Sequence, residues 1–194
     1  MRRWKLNGTF QQLWELLVTD EIHFSENLFI DSTCVRARQH AARAAKITGG
    51  QWQQVFGRSV GGLSTKIHLG CFNENNAIAI ALTGGEVADI TKFDAIFDKL
   101  PEHHALKNGI MDKGYDSNSV RETLALNKMV AVIPPKINRT TEIAFDQQLY
   151  KLRNQIERFI NRLKQFRRIA TRYEKLAETY LVFIYIVATY IMLS

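Results

Sequence analysis

Apolar positions along this chain follow two rhythms, a helical one near both ends and a strand-like one between them. Residues 9–20 (TFQQLWELLVTD) put Phe10, Leu13, Trp14 and Leu17 on one side of a predicted helix. LFIDST is a short apolar run, read as a strand that delivers Asp31 at its C-terminal end. Residues 34–58 have poor periodicity, carry Arg36, Arg38, Arg43 and Lys46, and are interrupted by Gly49-Gly50. They predict a long flexible loop or insertion. STKIHLGCF and AIAIALTGG are β-rich runs separated by NENN, which predicts a hairpin.

Beyond the hairpin the rhythm alternates. Asp89 to Leu100 reads as an amphipathic helix with Asp89 as its N-cap. GIMDKGYDS is a strand running into a glycine turn, SVRETLALN a helix, and MVAVIPP a buried strand closed by Pro134-Pro135. From about Gln147 a helix carries Leu149, Leu152, Ile156, Phe159, Leu163 and Phe166 as its apolar stripe. Tyr180 to Ser194 is apolar and uncharged but shorter than the roughly 20 residues that span a bilayer, so a buried terminal helix is expected and no membrane partner. The order of elements predicts an α/β layer with a mixed sheet flanked by helices: three antiparallel strands, then βαβ crossovers. Asp31 then lies centrally, with Asp112 on a neighbouring strand.

Charge adds a partner class. The net charge is +7, and nine Lys/Arg against Glu157 and Glu174 between Lys151 and Lys175 account for all of it. Such a segment favours a polyanion, although a solvated helix face has the same composition. The 46% of hydrophobic residues excludes a disordered chain. Cys34 and Cys71 form no CxxC pair, which excludes a disulfide framework or cysteine-rich zinc site and points to a reducing cytoplasm. The histidines lack zinc spacing, and GRSVGGLST does not complete a P-loop.

The candidate chemistry is carboxylate chemistry. In YKLRNQIERFINRLK, the residues Tyr150, Arg153, Glu157 and Lys164 have the spacing Y-x2-R-x3-E-x6-K. A helix gathers them into one stripe roughly 60° wide. One acid among two cations and a phenol suits a metal-binding carboxylate beside phosphate-gripping groups. Asp31, Asp112 and Glu157 form a sufficient oxygen shell for Mg²⁺, and two such ions about 4 Å apart can activate an oxygen nucleophile and stabilise a leaving oxyanion. Each acid also has an ordinary explanation. Asp31 can cap a turn, Asp112 can pair with Lys113, Asp116 can be the ligand instead or cap the following helix, and Glu157 can pair with Arg153 at i, i+4.

The stretches FIDSTCVRARQHAA, GRSVGGLSTKIHLG, MDKGYDS, VAVIPPK and YKLRNQIERFINRLKQFRRIATRYEK resemble the DDE-type insertion-sequence transposases, in particular the group named for insertion sequence five. The resemblance runs over nearly the whole chain from about residue 27. It implies a ribonuclease H-like fold, with Asp31, Asp112 and Glu157 as catalytic, metal-holding acids and Asp116 as a nearby non-catalytic one. It implies two Mg²⁺ ions, for which Mn²⁺ can substitute. DNA is the implied partner, terminal inverted repeats and target alike. Tyr150, Arg153 and Lys164 contact phosphates in this reading, and Arg158, Arg162, Arg167 and Arg168 add salt-sensitive affinity. A homodimer in the synaptic complex and a cytoplasmic, nucleoid-associated location follow from the same resemblance.

Residues 1–24 are expected to be the remnant of an N-terminal helical DNA-binding region, and residues 25–194 the catalytic domain with its C-terminal helices. The chain is then either the second reading frame of an element or a truncated copy. The competing expectations are a ribonuclease H-like nuclease or resolvase, and a catalytically idle DNA-binding regulator of transposition.

Overall fold

One strand, Asn27–Ala37, organises the molecule. Its residues Leu28, Phe29 and Ile30 are all buried, so both faces of the strand are covered. The computed structural model describes residues 8–21, 25–38, 55–59, 62–100, 105–141 and 143–194. In chain order the elements are α1 (Thr9–Glu21), β1 (Asn27–Ala37), β2 (Gly57–Ser59), β3 (Gly62–Cys71) and β4 (Ala77–Gly84). A 3-10 turn (Asp89–Lys92) leads into α2 (Phe93–Phe97), followed by β5 (Asn108–Met111) and a second 3-10 turn (Lys113–Tyr115). Next come α3 (Asn118–Leu126), β6 (Val130–Val132), α4 (Gln147–Tyr150), a third 3-10 turn (Lys151–Arg153) and α5 (Asn154–Gln165). The chain ends with α6 (Arg167–Ala170), β7 (Thr171–Arg172) and α7 (Ala177–Leu193).

The strands form one mixed sheet. β1 pairs antiparallel with β3 and parallel with β5; β3 pairs antiparallel with β4, and β5 parallel with β6. This is the predicted arrangement of an antiparallel half followed by parallel crossovers. Helices cover both faces. On one side α2 and α3 press onto glycines: a Cβ at Gly70 would stand 2.9 Å from Ile96 Cγ2, and one at Gly109 would stand 2.7 Å from Leu124 Cδ2. On the other side α5 lies against β1, and α7 packs on α5, α1 and β4.

Several expectations are corrected. Asp31 is the fifth of eleven strand residues and does not end the strand. β-branched Thr33 and Val35 continue it, β3 stays paired out to Arg36, and β7 joins beside Arg36 and Ala37. Residues 34–37 are therefore strand where a loop was expected; 39–54, most of that segment, lie outside the described residues. Asp89 is not a helix N-cap. Ala88 precedes the 3-10 turn, and the Asp89 carboxylate accepts from Ser32 and Lys66 instead. Val130 of β6 is 59% exposed, because β6 pairs with β5 alone among the described strands. In α1 the buried side chains are Trp14 and Val18, while Leu13 points outward. Trp14 meets Tyr185 of α7 with ring centroids 4.9 Å apart.

The terminal segment forms the expected buried helix. In α7, Tyr180, Ile184, Tyr185, Ala188 and Ile191 are buried at helical spacing. Among the described residues no helix is long and apolar enough to cross a membrane.

One cation of the basic run is structural. Arg172 has no exposed surface. Its guanidinium donates to Thr65 Oγ1 at 2.6 Å and to the carbonyls of Glu174, Val55 and Lys175, and it lies 3.9 Å from the centroid of the Phe56 ring. Burial pulls its pKa down to about 10, with only partial compensation from Tyr180 and Glu174. It stays charged at neutral pH and ties β1's neighbours to the C-terminal segment. Arg172→Ala is expected to cost about 3 kcal/mol in urea unfolding, since several buried acceptors lose their donor at once. Arg172→Lys should recover less than half of that, because an ammonium cannot reproduce the planar fork or its stacking on Phe56.

Candidate active site

Asp31, Asp112 and Glu157 come from three elements. Ile30 of β1 is opposite Met111 of β5 in parallel register. One residue further along, Asp31 and Asp112 leave neighbouring strands at the same level, on the same face by the alternation of side chains. Asp112 follows β5 directly and turns the chain: its Oδ1 accepts from the Gly114 amide at 2.8 Å, capping the Lys113–Tyr115 turn. A Cβ at residue 114 would stand 2.8 Å from that oxygen, so any larger residue would push the carboxylate from its present position in the cap.

Asp31 is held from two directions. Its Oδ1 accepts from the Ser32 amide at 2.8 Å, and its Oδ2 from Arg153 Nη1 at 2.6 Å. Burial pushes the Asp31 carboxyl above its ordinary range; Arg153 and the Ser32 amide oppose this, and the charge of Asp112 adds to it. The other arm of the same guanidinium, Arg153 Nη2, lies 2.5 Å from Glu157 Oε1. Arg153 therefore bridges an acid on β1 and an acid on α5. Burial alone would lower the Arg153 pKa, but Asp31, Glu157, Tyr150 and Asp112 outweigh it and raise it.

The predicted stripe divides. Asp146 caps α4 by accepting from the Gln148 and Leu149 amides, and the helix then tightens into a 3-10 turn at Lys151–Arg153 before α5. Uniform α-helical spacing predicts a single stripe, and the 3-10 turn interrupts that spacing. The structure nevertheless puts Arg153 beside Glu157 and brings Lys164 Nζ within 3.5 Å of the Cys34 carbonyl on β1. The Tyr150 ring packs edge-on to Phe145. Arg158 and Arg162 project elsewhere, toward Glu74 and Asn75 in the β3–β4 turn. Arg168 pairs with Glu174 at 2.8 Å and covers the Phe183 ring, and Arg167 lies by Tyr173.

Asp116, the alternative ligand, is committed elsewhere. Its carboxylate accepts from Arg121 at 2.9 Å and from Arg139 and the Lys136 amide at 2.8 Å each. It does not cap α3; Ser117 does. Two groups escaped the sequence reading. The first is Asp89, on the opposite face of β1, which holds Ser32 Oγ at 2.6 Å and Lys66 Nζ at 2.7 Å. A lysine in the middle of β3 was the available signal, since a largely buried ammonium needs an anion. The second is Tyr115, fully buried, whose hydroxyl has no hydrogen-bond partner among the described residues. Burial raises its pKa, and the charges of Asp31, Asp89 and Asp112 raise it further.

As to a metal, three carboxylates offer hard oxygen donors of the kind Mg²⁺ takes. Among the described residues no three His, Cys, Asp or Glu side chains are gathered into a ready-made cage. An open set fits an ion that uses one or two carboxylates and completes its shell with water and substrate phosphate.

Comparison with known proteins adds the following. The family described as "Transposase DDE domain" matches residues 23–192. A protein assigned as the transposase for insertion sequence element IS6501 in Brucella ovis is 31% identical over 132 residues, covering 68% of this chain and 99% of that protein. The piggyBac transposase in its synaptic complex with hairpin DNA superposes with a TM-score of 0.53 at 12% identity, covering 94% of this chain. This chain spans 50% of that one. The Mos1 mariner paired end complex with Mn superposes with a TM-score of 0.39 at 13% identity, over 94% of this chain and 59% of that one.

Asp116 yields a prediction. Burial would raise its carboxyl, but hydrogen bonds from Arg139, the Lys136 amide and Arg121 prevail and hold its pKa at about 2, below the ordinary 3.8. A depressed acid contributes stability above its unfolded pKa and loses it as pH falls through the folded value. Asp116→Asn is therefore expected to lower stability by about 2 kcal/mol at pH 7. In thermal melts across pH, the gap to the native chain should stay full above about pH 4 and close toward pH 2.

Proposed function

The chain belongs to the transposase DDE domain family, and from that membership we propose that it cleaves DNA at insertion-sequence ends and joins the released end to target DNA. Asp31, Asp112 and Glu157 are the proposed acids of the reaction. The observation that carries this reading is the single guanidinium shared by Asp31 and Glu157, which links β1 to α5 across 126 positions of sequence, with Asp112 at the adjacent level of β5. The narrower assignment to the insertion sequence five group rests on the motifs quoted above.

The three acids would hold divalent cations, two Mg²⁺ in this proposal with Mn²⁺ as substitute. When bound, such cations supply Lewis acidity, making water a better nucleophile and neutralising charge at the phosphate. The chain's own residues do the rest. The rigid strand positions of Asp31 and Asp112 fix where the scissile phosphate must sit. Glu157, half-exposed on α5, closes the site from the other side and can adjust as DNA enters.

Arg153 can grip a phosphate with two parallel N–H donors, and Lys164 offers a point charge near β1. Tyr150 lies on the same approach. Arg158, Arg162, Arg167 and Arg168 supply non-specific phosphate contacts whose strength falls with salt. DNA and a second copy of the chain are the proposed partners, since two ends must be brought together, and the proposed setting is cytoplasmic and nucleoid-associated. Residues 1–24 are proposed as part of a helical DNA-binding region, and α1 packs on the core through Trp14 and Val18.

The test uses DNA carrying the inverted repeats that flank the gene, with Mg²⁺. Asp31→Asn, Asp112→Asn and Glu157→Gln should each lower end cleavage by about 1000-fold, roughly 4 kcal/mol of barrier. Circular dichroism and melting should show all three folded. Cleavage that persists in all three would place the chemistry elsewhere.

A further inference from the structure

The acids of the site share a cation that belongs to the protein. Arg153 Nη1 reaches Asp31 Oδ2 at 2.6 Å and Nη2 reaches Glu157 Oε1 at 2.5 Å. The two contacts differ in solvation: the Asp31 side chain is 14% exposed and that of Glu157 is 50% exposed. The bridge is therefore anchored at its strand end and open at its helix end. Arg153 is the last residue of the 3-10 turn that enters α5, so its side chain starts at a junction between two helical forms.

Asp31 and Glu157 carry like charge, and the guanidinium between them relieves their repulsion. It is a permanent cation with donors only, so it can satisfy carboxylates but cannot coordinate a metal. A divalent ion held by Asp31 and Glu157 would lie against the guanidinium that already occupies Asp31 Oδ2 and Glu157 Oε1, and two cations that close repel. The same fork that fits a carboxylate pair also fits a phosphate.

We propose that Arg153 is a built-in counter-cation that holds Asp31 and Glu157 in the place of a divalent ion, and that its transfer from these carboxylates to a DNA phosphate opens the acids to the ion. This rests on the reading of Asp31, Asp112 and Glu157 as metal-holding acids. It makes DNA and metal mutually cooperative: a phosphate that draws Arg153 away strengthens metal binding, and by linkage the metal strengthens phosphate binding equally. In the absence of DNA the site holds metal weakly, which keeps it inactive without a substrate.

The experiment is calorimetric titration of the full chain with Mn²⁺, with and without a short DNA duplex, the duplex alone serving as blank. Without DNA, Arg153→Gln should bind Mn²⁺ about tenfold more tightly than the native chain, equivalent to about 1.4 kcal/mol. Arg153→Lys, whose single ammonium reaches only one carboxylate, should fall between them. DNA should tighten Mn²⁺ binding by the native chain and leave Arg153→Gln nearly unchanged. A melting series gives a second readout: with chelator Arg153→Gln should be the less stable protein, and it should gain more from added Mn²⁺. If Arg153→Gln binds Mn²⁺ no more tightly than the native chain, the proposal is overturned. Asp112→Asn then separates the two ideas: native binding that this variant loses leaves the metal-holding acids in place, whereas identical titrations of both bring that reading down as well.

Discussion

The parallel pairing of β1 with β5 is the constraint on which the rest of the site depends. Ile30 opposite Met111 decides that Asp31 and Asp112 emerge side by side on one face. A slip of one residue would turn Asp31 into the layer occupied by α2 and α3 and leave an apolar side chain in its place. The register is protected by burial on both faces, with Leu28, Phe29, Ile30, Ile110 and Met111 all inaccessible to solvent. The apolar core thus sets the position of the two acids.

Given that frame, environment sorts the acids. Asp116 is surrounded by Arg121, Arg139 and an amide, and its charge is stabilised to the point of being committed. Asp89 is similarly occupied by Lys66 and Ser32, and hydrogen bonds from both outweigh its partial burial and lower its pKa. Asp31 differs: burial dominates, and one guanidinium with one amide does not restore its ordinary acidity. A carboxylate in that condition gains from any further positive charge brought to it. Asp116 gains little, which separates a carboxylate committed to structure from the one proposed to hold a metal.

Much of this was legible in the chain itself. The NENN turn, the apolar runs around Asp31 and Asp112, and the period of the segment after Gln147 each act locally, so local pattern finds them. The parallel arrangement of β1, β5 and β6 followed from helices lying between strands. Other features were not legible because they depend on distant partners. The extension of β1 through Ala37 needs β3 and β7 alongside it, and nothing in VRA announces them. Asp89 looked like a cap because caps are local, whereas Lys66 and Ser32 reach it only through the sheet. The spacing of Arg153 and Glu157 indicated a pair, but not that Asp31, 122 positions earlier, would be its third member.

The burial of Arg172 also changes how the electrostatics of the C-terminal segment should be counted. Nine cations between Lys151 and Lys175 look like one uniform basic surface in the sequence. A guanidinium without exposed area displaces no ions from a polyanion's condensed atmosphere, and one already saturated by Asp31 and Glu157 displaces them only on release. The ionic-strength dependence of association should then report a smaller number of contacts than composition alone gives, and the difference measures how much of the chain's positive charge is spent on its own architecture.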